Sequence, residues 1–276
     1  MRSVSTHTRR FVRCAASVAV AFSFSAGLAA TSGAASASTG PVVVDHMVCQ
    51  HVKGSGFHSP IDTVILQNAI QRVFFTPHLL IRTQQCDPVS VAVGKGKRSY
   101  AQNPNAHLLC WSMSYTWKAI TVRITNRFGT ATLSTGAPTN PCLPTWANTT
   151  GPPKPPSTPP PGLDNFVCYP LTAIPGNPGF PPRRGVTVQL ALKQLPIKVR
   201  VSAPRALCVP SVLIDSNTQY SPQASSDRSL TCFTVSKLPM ASVYYDQNLF
   251  GHGISRPTAT LNLCVPTTIQ VEGPTA

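Results

Sequence analysis

Eight cysteines that recur in fixed company constrain this chain more than any other feature. They alternate between two kinds of site. The first kind follows apolar residues and is itself followed by an aromatic in three of four copies: Met47-Val48-Cys49-Gln50, Leu108-Leu109-Cys110-Trp111, Phe166-Val167-Cys168-Tyr169 and Leu230-Thr231-Cys232-Phe233. The second kind always precedes a proline by two: Cys86-Asp87-Pro88, Cys142-Leu143-Pro144, Cys208-Val209-Pro210 and Cys264-Val265-Pro266. Between them runs an alternating stretch that begins at Val64, Val122, Val186 or Val243. In two copies it leads into Asn126-Arg127-Phe128-Gly129 and Asn248-Leu249-Phe250-Gly251. From that valine to the second cysteine the distances are 22, 20, 22 and 21, whereas from the first cysteine to the valine they are 15, 12, 18 and 11. Successive first cysteines are 61, 58 and 64 apart. The chain therefore reads as four copies of one unit of about sixty residues, half of it fixed in length and half tolerant of loops.

The ninth cysteine, Cys14, belongs to a leader. Residues 1–37 have a basic start (Arg2, Arg9, Arg10, Arg13), an apolar stretch from Cys14 to Ala30 and a small-residue close at Ala35-Ser36-Ala37, the pattern of a secretory signal cleaved after Ala37. Arg13 stands where a twin-arginine signal wants an apolar residue, so the general secretory route is expected. An even set of cysteines in an exported chain reads as a disulfide framework and not as metal ligands. Pairing within each unit is the simplest scheme, because a fourfold repeat then makes the same bridge four times: Cys49 with Cys86, Cys110 with Cys142, Cys168 with Cys208 and Cys232 with Cys264. Other pairings stay open on sequence alone. Closing a loop of this size contributes roughly 4 kcal/mol in the chain-entropy picture.

The apolar-x-Cys-aromatic start, the alternating strand ending in Asn/Asp-x-Phe-Gly and the Leu-Cys-x-Pro close together resemble a tandem-repeat domain of secreted bacterial proteins, over residues 45 to 268. Gln50 in place of the aromatic, Gln85 before Cys86, and Leu190-Ala191-Leu192 in place of the third Asn-x-Phe-Gly turn depart from that pattern. The resemblance implies an architecture and no activity.

The periodicity is that of strands. Ile120-Val122-Ile124, Val186-Val188-Leu190-Leu192, Ile197-Val199-Val201 and Val243-Tyr245 alternate with period two. Only Ile61 to Phe75 offers a helical alternative, capped by Asp62, and the repeat register makes it strand plus turn. The proline-rich segment 151–161 should be an extended spacer. The expected architecture is all-β: two tandem disulfide-stapled domains of β-sandwich or open-barrel type, each made of two repeats. They would occupy residues 38–150 (repeats 1 and 2) and 162–276 (repeats 3 and 4), because one sixty-residue unit alone buries too little surface.

The chemistry on offer is sparse. Only 11% of residues are charged, and Glu272 is the single glutamate beside seven aspartates. Asp45, Asp164 and Asp227 stand near unit starts and read as turn or strand-start residues bonding backbone, and Asp246 is placed like Asn126, ahead of a turn. Asp45-His46-x-x-Cys49-x-His51 has ligand-like density, yet its cysteine belongs to the framework. His46 recurs as His107, with Asn165 and Ser229 in the other copies, so no metal site is expected. Gly251-His252-Gly253-Ile254-Ser255 is a Gly-rich turn and not a nucleophile elbow. Gly94-Lys95-Gly96-Lys97-Arg98-Ser99 lacks the first glycine and the helix of a phosphate loop and reads as a basic exposed loop. No catalytic residue and no cofactor is expected.

Tyr115 and Trp117 are the surplus aromatics. They continue the face of Trp111 and Met113, have no aromatic counterparts in the other units, and are candidates for stacking on sugar rings or a partner peptide, against the alternative that they cover the core. Removing the leader takes the formal charge from +15 to +11. Arg183-Arg184, Lys95 to Arg98, Lys198 and Arg200 then suit an anionic or polysaccharide polymer of the cell envelope, or solubility alone. Neither nucleic acid nor a membrane span is expected. The sequence thus points to a secreted, extracellular and non-enzymatic binding or cell-surface module, with cell-wall association included. The alternative is a secreted enzyme or enzyme inhibitor working through loops such as 173–185.

Overall fold

The computed structural model describes residues 44–56, 64–154, 160, 162–190, 195–215, 218–222, 228–236, 238–239 and 241–274. The leader, Asp62, Asp227 and most of the proline-rich segment lie outside the described residues. Within them every regular element is a strand. These are β1 (His46–Ser55), β2 (Val64–Asn68), β3 (His78–Val93), β4 (Ala106–Ser114), β5 (Ile120–Asn126), β6 (Gly129–Thr135) and β7 (Asn140–Asn148), then β8 (Phe166–Ala173), β9 (Arg183–Leu190), β10 (Ile197–Asp215), β11 (Thr218–Tyr220), β12 (Ser229–Val235), β13 (Tyr244–Asn248) and β14 (Gly251–Pro274). No helix among the described residues is long and apolar enough to cross a membrane. The stretch with helical potential is strand β2, its side chains alternately buried, followed by a turn.

Eight strands close into a ring. β1 pairs with β3, β3 with β4, β4 with β7, β7 with β8, β8 with β10, β10 with β12, β12 with β14, and β14 returns to β1, every pair antiparallel. Closure removes the unpaired edges that an open sheet of this size would expose. The cysteines of each unit stand directly opposite one another in this ring and are bonded as Cys49–Cys86, Cys110–Cys142, Cys168–Cys208 and Cys232–Cys264.

Period-2 alternation sorts the ring side chains into two cores. Cysteines and the residues two before the first of each pair (Met47, Leu108, Phe166, Leu230) form one cluster. Their neighbours (Val48, Leu109, Trp111, Leu143, Val167, Tyr169, Val209, Phe233, Val265) join the larger cluster together with Val64, Leu66, Val122, Ile124, Val186 and Val188 of the strands outside the ring. The sulfur cluster is therefore the interior. Sulfurs of neighbouring bridges approach to 3.4 Å between Cys49 and Cys264 and 3.6 Å between Cys142 and Cys168.

The proline two after each second cysteine marks where a long strand changes partner on one flank. β3 leaves β4 after Cys86 and meets β9 from Val89; β10 leaves β12 after Cys208 and meets β2 from Ser211; β14 leaves β1 after Cys264 and meets β5 from Thr267. β7 likewise passes from β8 to β13. A residue without an N–H is tolerated at the point where that flank has no partner.

Four of the six strands outside the ring lie on a ring strand from two units away: β2 on β10, β9 on β3, β5 on β14 and β13 on β7; β6 lies on β8 of the next unit and β11 on β10 of its own. Residues 40–276 consequently form one compact unit. Two separate halves on either side of the proline-rich segment do not describe it. Either half alone would leave the ring open and strip the other's outer strands of their partners.

The register also fixes an equivalence that sequence placed one residue off. Asn68 faces Ser211 and Asn126 faces Thr267 in the ladder, and Asn248 donates to the Thr145 hydroxyl at 3.0 Å. Counting back four residues gives Val64, Val122 and Tyr244, so Tyr244, not Val243, occupies the valine position of the last copy. In the third copy Leu190 faces Val89, an apolar pair in place of Asn and hydroxyl.

Candidate functional site

That corrected register places the densest set of titratable groups. Position by position, Tyr244 and Asp246 stand where Val64 and Leu66, or Val122 and Ile124, stand in other units. Gln50 replaces an aromatic, and Asp87 replaces Leu143, Val209 or Val265. One corner of the outer core has thus become polar as a group. Asp87 accepts three hydrogen bonds there: from His107 Nδ1 at 2.7 Å, from Tyr244 Oη at 2.6 Å and from Gln50 Nε2 at 2.9 Å. Ser255 Oγ donates to Asp246 Oδ2. Arg82 Nη1 reaches the Ile254 carbonyl at 3.2 Å and Ser255 Oγ at 3.4 Å.

Electrostatically this corner is under tension. Burial raises the Asp246 carboxyl to about 6 against the lowering effects of Ser255, His107 and Arg82. Burial and the Asp87 carboxylate raise the Tyr244 phenol far above its ordinary range. Asp87 and His107 are 4% and 1% exposed, and Tyr244 and Asp246 are 3% and 1% exposed. An acid–base pair needs to meet a substrate proton within hydrogen-bond reach. Asp87, His107 and Tyr244 are bonded to one another inside the core, while Asp246 accepts from Ser255 on one oxygen and leaves the other without a partner among the described residues. Asp246, expected ahead of a turn, is instead in mid-strand β13, because the turn begins after Asn248.

The other residues singled out by sequence are dispersed. Asp45 takes the Gln102 and Asn103 N–H groups on its two oxygens at 2.7 and 2.8 Å, the strand-start role expected of it, and burial raises its carboxyl nonetheless. Asp164 is buried at the start of β8. The Asp45–His51 cluster does not converge: Cys49 is bridged, His51 Nδ1 lies 2.6 Å from the Thr83 carbonyl and His46 Nε2 lies 3.2 Å from Arg127 Nη1. The sulfurs of Cys49, Cys232 and Cys264 come close together, but all three are in disulfides and offer no thiolate. Gly251 to Gly253 opens the β13–β14 hairpin, with Gly251 at φ 112°.

Tyr115 and Trp117 part company. Tyr115 is half-buried on the outer core, its ring 4.8 Å from that of Phe75. Trp117 lies beyond the end of β4 and lines a cleft of 580 Å³ with Thr116, Lys118, Ala119 and Ile120. Trp111, in the recurring aromatic slot, stacks edge-on against Phe250 as scaffold.

A second cleft was not foreseen as a site. His46, Lys97, Arg98, Ser99, Arg127 and Pro266 line an open surface concavity of about 460 Å³. The basic turn after β3 and the Asn126–Gly129 turn, both noted in sequence for other reasons, meet there. Arg127 Nη1 is held by His46 and, at 3.1 Å, by the Val91 carbonyl, and Arg98 Nη1 by Gln189 Oε1 at 2.7 Å. Burial, with Arg127 adding to it, lowers His46 to about 3, so its imidazole is neutral and accepts.

Against known proteins the chain finds no counterpart: no family model matches it, and neither does any curated protein or solved structure, so no relative identifies the tandem-repeat family it resembles.

Proposed function

We propose that the protein is a secreted, non-enzymatic module that binds an anionic or polysaccharide polymer of the cell envelope. One observation carries this reading. The accessible concavities described above present cations and an aromatic ring, while the acid–base groups are sealed in the core. Four disulfides fit an extracellular setting, and an uncompensated positive surface draws polyanions by field and by direct contact. Trp117, with its indole against a cleft, is the residue best placed to stack on a sugar ring; Tyr115 supports the core behind it.

The test is retention of the exported protein on insoluble envelope polymer. Binding at low salt that falls as salt rises, and that weakens in Trp117→Ala with the thermal midpoint unchanged, is expected. Passage through the polymer unretained at low salt sinks the proposal. The second reading, an enzyme or inhibitor working through loops such as 173–185, would show as turnover or inhibition that is lost when that loop is shortened in a correctly folded variant.

A further inference from the structure

The cleft of His46, Lys97, Arg98 and Arg127 is built in a way that solubility does not require. Three cations line it, and among the described residues no carboxylate lies within ion-pair range of any of them. Arginine side chains are commonly positioned by carboxylates, which cancel their charge. Here both guanidinium groups are positioned by neutral acceptors: Arg127 by the His46 ring and the Val91 carbonyl, Arg98 by the Gln189 amide oxygen. Arg98 also lies over the Tyr100 ring, 5.9 Å from its centroid. Each guanidinium spends one nitrogen on its anchor and keeps its remaining donors. Ser99 adds a hydroxyl, and the Asp45 carboxylate next to His46 is already committed to the Gln102 and Asn103 N–H groups.

Further positive charge converges on the same end of the fold. Arg183 Nη2 donates to the Phe128 carbonyl in the turn that carries Arg127, at 2.6 Å. The Gly94 N–H bonds the Gly185 carbonyl, which brings the basic turn after β3 against the start of β9. Arg183 thus lies beside the turn that carries Arg127, and the basic turn after β3 lies against the start of the strand that Arg183 opens. A single carboxylate would leave three cations under-neutralised, whereas free phosphate or a monoester carries up to two charges and several acceptor oxygens suited to forked donors, and a diester link, itself singly charged, brings the charges of its neighbouring links.

We infer that this cleft is a phosphate-binding site, in which Lys97, Arg98 and Arg127 hold one phosphate group, free, as a monoester, or as a link of a phosphodiester polymer. The site rests on the reading of the protein as a binder and supplies its ligand class. Positions are pre-set by His46, Val91 and Gln189, so little order remains to be imposed on binding.

Calorimetric titration of the full exported chain with inorganic phosphate, glycerol 3-phosphate and poly(glycerol phosphate), at one ionic strength, tests it. All three should bind, and acetate should not compete at equal concentration. Arg127→Gln, and separately Lys97→Glu at an exposed side chain with no hydrogen bond to lose, should each weaken binding by about tenfold or more, the scale of one charge-assisted contact. The double variant Lys53→Gln/Arg256→Gln, which removes as much charge as Lys97→Glu from facing positions of β1 and β14 seven residues along β1 from His46, should bind as the parent does. Equal weakening in that control, or no binding of inorganic phosphate and glycerol 3-phosphate, overturns the site. Binding of the polymer alone leaves the wider binder standing without it; phosphate binding without retention on envelope polymer does the reverse.

Discussion

His46 and Asp246 titrate against the fold in opposite directions. Burial and Arg127 depress His46 from 6.5 to about 3. Between those values the unfolded chain binds a proton that the folded one refuses, so stability falls as pH drops, by roughly 5 kcal/mol in full. Asp246 is raised from 3.8 to about 6. Its folded form keeps a proton the unfolded chain has released, so its contribution is present at low pH and lost as pH rises through about 6, worth roughly 3 kcal/mol. Urea unfolding from pH 3 to 7.5 separates the two. His46→Gln should flatten the loss on acidification, and Asp246→Asn should steepen it while raising stability at neutral pH. At this scale the sequence was half legible. Gln50 stood out as a missing aromatic, but its meaning lay in Asp87 of the same unit, His107 of the next and Tyr244 of the last, a meeting that only the ring creates. The cleft was hidden for the same reason, since Lys97 and Arg127 come from turns of different units.

Among elements, the most transferable device is the asparagine that ends an outer strand. Its oxygen accepts the N–H two residues on, from Phe128 onto Asn126 at 2.8 Å and from Phe250 onto Asn248 at 2.9 Å, while its amide donates across the ladder to a Ser or Thr three residues after the second cysteine. One side chain thereby closes a turn and fixes a register. Asn248→Ala should cost about 1–2 kcal/mol, and a double-mutant cycle with Thr145→Val should show coupling of about 1 kcal/mol by chemical denaturation. Strand existence was written in the alternation, and the Cys-x-Pro spacing was visible without its reason, the change of partner. The last copy slipped by one residue because Val243, Tyr244 and Tyr245 all suit a strand and period two alone does not choose between them. The Asn248-Leu249-Phe250-Gly251 turn, aligned on Asn126-Arg127-Phe128-Gly129, chooses Tyr244, and the facing hydroxyl of Thr145 agrees.

For the whole molecule, the sequence carried the disulfide scheme and the all-β class but not the closure. A proline-rich segment between two pairs of repeats looks like a spacer between two domains, and the local pattern says nothing of strands that lie on units two places away. Yet β2 on β10, β9 on β3, β5 on β14 and β13 on β7 all cross between the halves, as do the ring contacts of β1 with β14 and β7 with β8. All four disulfides stay within a half. That contrast makes the closed ring directly measurable. A protease site inserted within 151–161 and cut to completion should leave both fragments co-eluting as one species of unchanged size in native buffer, and separating in denaturant without reductant. Two folded fragments that part in native buffer would contradict the ring and restore the pair of independent domains.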